Sequence, residues 1–408
     1  MAEAGGQARA ASRIAGREVG FLVLLWLGGF TLRCTLLAVP PVIPQIHHAL
    51  GLDETAIGVL SSAPTLMLAA GAIPGALLIA RLGARRALVA GLGMLALTGA
   101  LRGAGPSWAV LLGMTFAMGI GIAVSQPSFP TLTGEWFAGR VGLATAVYTS
   151  GLLCGETLPA AFTGPLVLPA LGGSWPLALA AWSAPVLATA GAILAFTPAE
   201  RPRPAGLPRR PWWPDFGHRQ MLFLGGLMGM ASAAYFGTNT FLPDYLHALG
   251  QPGLKDVALA SINASQLPAS FLVLAISHHL IARRWPFVAC GLVMAAALGG
   301  IAFVSGGWIV VLAGVIGFAA AGPLILMLML PPILAAPSDV PRFSAGVFTL
   351  MYSLSFLGPV VGGTAWDLSG RPAAAFLALA VGGLIMAALA FGLPLGQTRT
   401  ALAAAARG

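Results

Sequence analysis

Charge is what this sequence has least of. Only 8% of its 408 residues are Asp, Glu, Lys or Arg, where a soluble domain carries about 25%. Water is therefore excluded as the solvent for most of its surface. Cysteine is almost as scarce: Cys34, Cys154 and Cys290 each fall in an apolar stretch without metal-like spacing, which argues against a disulfide framework and a zinc site. No Gly-x-x-x-x-Gly-Lys or His-Glu-x-x-His motif occurs, so ATP-driven pumping and membrane metalloprotease chemistry have no support. The chain reads as a protein that is not an enzyme and needs no cofactor or metal. The pairs His47-His48 and His278-His279 fall at opposite faces of the membrane, and adjacent histidines do not share a helix face. The formal charge of +9 is spread over helix ends with no dense basic run, which points to phospholipid headgroups and not to nucleic acid.

What is present is apolar length. Hydrophobic residues make up 58% of the chain, in runs that reach the roughly 20 residues a membrane helix needs. Twelve spans are predicted, at 19–45, 56–80, 87–104, 107–133, 141–165 and 174–197, then 219–248, 257–281, 286–305, 308–335, 343–366 and 372–395. The N-terminal apolar run follows Arg9, Arg13 and Arg17 but is too long for a signal peptide and has no evident small-residue cleavage site, so it is read as a retained first span. With the N-terminus inside, 17 of the 21 basic residues fall in cytoplasmic segments and only Arg102, Lys255 and Arg371 outside. The positive-inside rule then places both termini in the cytoplasm.

A Pro- and Arg-rich linker, 198–218, separates a six-span bundle at 1–197 from a second at 219–408. The halves repeat. Pro44-x-x-x-His48-Ala49-Leu50-Gly51 recurs as Pro243-x-x-x-His247-Ala248-Leu249-Gly250. Pro64 matches Pro268, Ala84-Arg85-Arg86 matches Ala282-Arg283-Arg284, Pro130 matches Pro331, and Thr145-x-x-Tyr148 matches Thr349-x-x-Tyr352. All stay collinear at offsets of 198 to 204 residues, the signature of an internal repeat. The fold class is thus an all-α membrane protein of two pseudo-symmetric six-helix bundles.

Charges inside the spans single out a site. Arg33 lies about 14 residues into span 1, roughly 20 Å along the helix, where a charge costs about 3 kcal/mol on the most lenient scale and normally faces a partner or a wet cavity. It reads either as an anchor for an anionic substrate, through its planar fork, or as one member of a structural ion pair. Glu156, the only acid well inside a span and at similar depth, is the natural partner. It reads as a structural counter-ion or as a titrating proton-coupling group. Arg102 reads as an interfacial arginine or an anion funnel. Tyr148 and Tyr352 fall in the pseudo-equivalent spans 5 and 11, and together with Gln126, Asn239, Asn263 and Gln266 they suggest a polar central cavity.

Two parallel six-helix repeats joined by a cytoplasmic linker resemble the plan of major facilitator transporters, which bind substrate between the halves near mid-membrane. Ala80-Arg81-Leu82-Gly83-Ala84-Arg85-Arg86 is similar to that superfamily's Asp-Arg-x-Gly-Arg-Arg loop, with alanine at two positions. By that resemblance Arg81, Arg85 and Arg86 are gating residues; by charge alone they are positive-inside anchors. Leu32-Arg33, Leu101-Arg102-Gly103, Gly121-Ile122-Ala123-Val124, Arg140-Val141-Gly142, Tyr148-Thr149, Phe241-Leu242-Pro243 and Gln266-x-Pro268 resemble the cyanate permease and 2-nitroimidazole transporter family. Where that family has Asn-Leu-Arg-Pro this chain has Thr31-Leu32-Arg33-Cys34, and Gly-Asn is replaced by Ser125-Gln126. Glu156 stands where a small residue is expected. The resemblance implies a secondary transporter of small anionic or polar planar solutes; the chain is expected to act as a monomer in a bacterial inner membrane, moving a small anion by alternating access with or without a proton. A proton-driven multidrug or metabolite exporter of the same fold is the alternative.

Overall fold

The computed structural model describes residues 2–105, 107–137, 141–198, 213–280, 283–328, 330 and 340–393, and these are helical almost throughout. Most of the linker, Arg140, Pro331, Arg399 and Arg407 lie outside the described residues. Before residue 198 run α1 (Ala2–Leu37), α2 (Ile43–Leu50), α3 (Glu54–Leu82), α4 (Ala84–Leu101), α5 (Trp108–Ser125), α6 (Ser128–Trp136), α7 (Val141–Phe162), α8 (Leu168–Ala170), α9 (Trp175–Ala181) and α10 (Ala184–Phe196). After residue 218 follow α11 (Arg219–Ala248), α12 (Lys255–Ala264), α13 (Gln266–Leu280), α14 (Trp285–Ile301), α15 (Gly307–Leu328), α16 (Val340–Ser369) and α17 (Ala373–Gly392). The two sets are called here the first and second half of the chain. The end at which α1 enters is the near end, and the end carrying the α2–α3 turn is the far end.

Among the described residues nine helical stretches are long and apolar enough to cross a membrane. The other three predicted spans correspond to α3, to α12 with α13, and to α14, a 17-residue apolar helix. The solvent pattern is that of lipid. Phe196, Phe303, Leu368 and Phe391 face outward, whereas Arg102, Glu156, Asn239, Asn263 and Gln266 are buried. A water-soluble protein shows the reverse.

Several predicted spans are interrupted, and the reasons are local. Pro40 and Pro41 remove two N–H donors, so α1 stops at Leu37 and a short 3-10 turn leads into α2. Pro127 lies in one break and Pro268 just past another, so the fourth span divides into α5 and α6 at Gln126 and Pro127, and the eighth into α12 and α13 at Ser265. A glutamine stands at each break, Gln126 at the first and Gln266 at the second. Interrupted spans of this kind are tolerated where they line a cavity or pack against protein.

Glycine sets one packing distance that matters. A Cβ at Gly29 would strike the Tyr148 carbonyl oxygen, one at Gly151 the Trp26 oxygen, and one at Gly155 the Phe30 oxygen. α1 and α7 therefore touch backbone to backbone, as small-residue interfaces allow in membranes. Arg33 lies one turn beyond Phe30, and Glu156 follows Gly155, so this contact brings the two charges together.

Candidate functional site

The site is built around Glu156. Its Oε1 lies 3.4 Å from Arg33 Nε, an ion-pair distance, with the side chains only 12% and 10% exposed. The alignment is too poor for a hydrogen bond, and both Nε and Nη1 of Arg33 are buried without a hydrogen-bond partner. The other carboxylate oxygen faces the second half. Glu156 Oε2 accepts from Gln266 Nε2 at 3.1 Å and lies 3.1 Å from the Tyr235 hydroxyl. α7 is thereby tied to α11 and α13 at mid-depth.

Behind Tyr235 the polar chain continues. Its hydroxyl lies 2.5 Å from Asn263 Oδ1. Asn263 Nδ2 donates to Asn239 Oδ1 at 2.8 Å and to the Leu259 carbonyl at 2.7 Å. Asn239 Nδ2 donates in turn to the Tyr235 carbonyl at 3.0 Å. Every member except Arg33 is at least nine-tenths buried, and buried polar groups require this degree of mutual satisfaction. A second link crosses the halves nearby: Gln126 Nε2, at the α5–α6 break, donates to the Tyr352 hydroxyl of α16 at 3.0 Å. The structure thus gathers Arg33, Glu156, Asn239, Asn263 and Gln266 in one network, with Gln126 and Tyr352 paired across the halves beside it. Tyr148 stands apart from the carboxylate, its ring 5.6 Å from that of Phe129.

The loop arginines sit elsewhere. Arg85 Nε donates to Thr197 Oγ1 at 2.8 Å and Nη2 to the Leu194 carbonyl at 2.6 Å, so it pins the start of α4 to the last turn of α10, where carbonyls attract cations. Arg81 and Arg86 are exposed at the near end.

Two residues were not recognised from sequence. Tyr235 reads as an aromatic in an apolar run, although the chain has only 4 tyrosines. Arg102 is no surface residue: it is fully buried at the end of α4, donating to the Gly99 carbonyl at 3.3 Å and the Thr35 carbonyl at 2.8 Å. The Thr35 oxygen is free because Val39 N bonds the Leu36 carbonyl instead as α1 ends. Arg102 borders a cavity of about 20 Å³ shared with Ser61, Phe236, Asn239 and Thr240, room for about one water. Both the interfacial and the funnel readings of Arg102 give way to this buried position.

Other inter-half bonds lie at the far end. Asp367 of α16 accepts from Glu54 N at 3.1 Å and Thr55 N at 2.8 Å, and from the Thr55 hydroxyl. Lys255 Nζ donates to the Pro41 carbonyl at 2.7 Å. Gly58 and Gly363 allow α3 and α16 to meet there, since a Cβ on either would overlap backbone of the other helix.

Helices from both halves thus surround a buried polar centre while their far ends are held together. The Major Facilitator Superfamily model matches residues 25–363. This chain belongs to the Major Facilitator Superfamily. Members of the superfamily are membrane transporters and not enzymes. Among curated proteins the chain is similar to the cyanate transport protein CynX of Escherichia coli, 26% identical over 166 residues. That alignment spans 41% of this chain and 43% of the relative, less than half the length of either. Three solved structures share the fold. A bacterial homolog of the human lysosomal transporter Spinster, inward-facing and unoccupied, superimposes with a TM-score of 0.70 at 17% identity, covering 95% of this chain and 98% of its own. The nucleoside transporter NupG gives 0.70 at 14% identity, covering 94% and 99%. A D-xylose-proton symporter gives 0.71 at 14% identity, covering 92% and 97%. At such identities these structures speak for the fold alone.

Proposed function

We propose that the protein is a secondary active transporter of a small anionic solute, cyanate-like or a small organic anion, working by alternating access with a proton as coupling ion. The observation that carries the anion reading is Arg33, whose Nε and Nη1 are buried without hydrogen-bond partners in the network between the halves. A desolvated guanidinium with open donors is costly unless an acceptor completes it, and two anion oxygens match its fork. The cyanate named in the E. coli relative's description supports the same class.

Donor counting supports the proton. Asn263 Nδ2 has two protons, committed to Asn239 and Leu259, so its Oδ1 is left as the acceptor facing Tyr235. Tyr235 has a single hydroxyl proton, and the shorter contact, to Asn263, takes it. The Tyr235 oxygen, with its own proton committed in this way, can accept from Glu156 when that carboxylate takes up a proton. Glu156 is the proton carrier, and Arg33 is released to the anion when the proton is bound. Gln126, Tyr148, Asn239, Asn263, Gln266 and Tyr352 shape the binding site; Arg81 and Arg86 gate the near end, with Arg85 anchoring the loop. The protein acts as a monomer in a bacterial inner membrane with both termini cytoplasmic, which makes the far end periplasmic and closed in this structure.

Reconstituted liposomes test this. Uptake of labelled cyanate and small carboxylates should follow an imposed proton gradient. Arg33→Gln should abolish uptake, while Glu156→Gln should retain anion exchange but lose gradient-driven accumulation. Transport of lipophilic compounds that ignores Arg33→Gln would replace this reading with the exporter.

A further inference from the structure

At the far end a second group of ionisable side chains stands apart from the mid-depth network. We propose that His47, Glu54 and Asp244 form a divalent-cation site that joins the two halves of the chain across their closed far end. His47 follows the α1–α2 turn and Glu54 begins α3, both in the first half; Asp244 lies near the end of α11, in the second.

The spacing is that of ligands. His47 Nδ1 lies 3.1 Å from Asp244 Oδ2 and 3.7 Å from Glu54 Oε1. One ligand atom from each of the three lies within 4.8 Å of the others. With metal–ligand bonds of about 2.1 Å in tetrahedral array, neighbouring ligand atoms are about 3.4 Å apart, a value the two measured spacings bracket. One imidazole with two carboxylates is a donor set that zinc and its first-row neighbours accept.

A second observation points to a ligand. Glu54 Oε2 is buried with no hydrogen-bond partner, in a side chain only 6% exposed. A hydrogen-bonded latch between His47 and Asp244 satisfies those two residues and leaves that oxygen unpaid; a cation answers it. The surroundings favour positive charge, because Asp53 and Asp367 add two carboxylates to Glu54 while Lys255 is the ammonium beside Asp244. Entry is open through His47, whose side chain is 36% exposed, and a cation site needs such a path. Asp367 adds outer support by binding the backbone of Glu54 and the side chain of Thr55. Sequence alone hides this group: the chain neighbour of His47 is His48, which cannot share its helix face, and Glu54 and Asp244 are brought to it only by the fold.

Because the ligands come from both halves, the ion completes its coordination only while the far end is closed. Its binding holds that state and slows the cycle, whatever the transported solute.

The test uses the purified full-length protein with Zn2+ as the probe, titrated by calorimetry after chelator treatment, and the variants His47→Gln, Glu54→Gln and Asp244→Asn. The expected result is one ion per chain, with affinity weakened by about tenfold or more in each variant, and a Zn2+-dependent rise in melting temperature confined to the wild type. Should a variant fail to fold, X-ray absorption at the zinc edge of the wild type decides: one imidazole with carboxylate oxygens supports the site. Sulfur ligation, binding undiminished in all three variants, or no binding above the chelated background would overturn it and leave a hydrogen-bonded latch only.

Discussion

The mid-depth network and the far-end seam both join the halves through carboxylates, but with different kinds of partner. Glu156 is held by side chains alone, from α1, α11 and α13. Asp367 is held by the first-turn N–H groups of α3, which Asp53 also caps by accepting from Ala56 N at 2.7 Å. Side-chain partners can be exchanged one at a time. A helix N-terminus offers rigid donors and a fixed partial positive charge, so its contact is made or released as a unit. The first arrangement suits a site that must change its occupants, and the second suits a contact that defines one end of a rocking motion.

Substitutions at each region can break that contrast. The largest effect is expected at mid-depth. Arg33→Ala leaves a buried carboxylate without its cation, a change that costs about 3–5 kcal/mol; the melting temperature should fall sharply, and Arg33→Ala combined with Glu156→Gln should regain most of it. A cap contact has no such rescue, so failure of the double variant to recover would equate the two regions.

Gly155→Leu should come next. Its side chain has to displace the Phe30 backbone, and overpacking of this kind costs about 1–3 kcal/mol. Since it separates α1 from α7, anion-dependent stabilisation should be lost along with thermal stability. Gly363→Leu, which intrudes on Glu54 and Thr55, should lower stability comparably but spare anion binding.

Asp367→Ala removes a cap from α3 and should cost about 1 kcal/mol. Its sharper consequence is kinetic: labels at the far ends of α3 and α16 should separate more often, measured as a broader distance distribution by electron spin resonance. Tyr352→Phe is expected to matter least, removing one hydrogen bond to Gln126 at about 1 kcal/mol or less, with melting temperature nearly unchanged and anion affinity modestly weakened.

The parts of this architecture written in charge and period were legible from sequence. Arg33 and Glu156 stand out because a charge in an apolar span is expensive wherever it lies. Asn239, Asn263 and Gln266 follow because buried amides are costly too, and the structure joins Gln266 to that carboxylate directly and the two asparagines to it through Tyr235. Tyr235 was missed because a tyrosine's ring is at home in a core and only its hydroxyl matters here. The break at Gln126 was also missed: Ser125-Gln126-Pro127-Ser128 is a short polar interruption flanked by apolar residues, so averaged hydropathy sees one span where Pro127 makes two helices. Arg102 misled for a geometric reason. Its place at the end of a span suggests an interface, yet the carbonyl that holds it belongs to Thr35, on a helix whose own end is shaped by Pro40 and Pro41.

The central claim is that Arg33 and Glu156 together form the anion and proton site. The most direct measurement is the melting temperature of purified wild type and of the charge-neutral Arg33→Gln/Glu156→Gln double variant across a panel of small inorganic anions, carboxylates and lipophilic compounds. The account predicts stabilisation of the wild type by one class of small anion and none in the double variant. Equal stabilisation of both proteins by those anions, or stabilisation by lipophilic compounds alone, would contradict it.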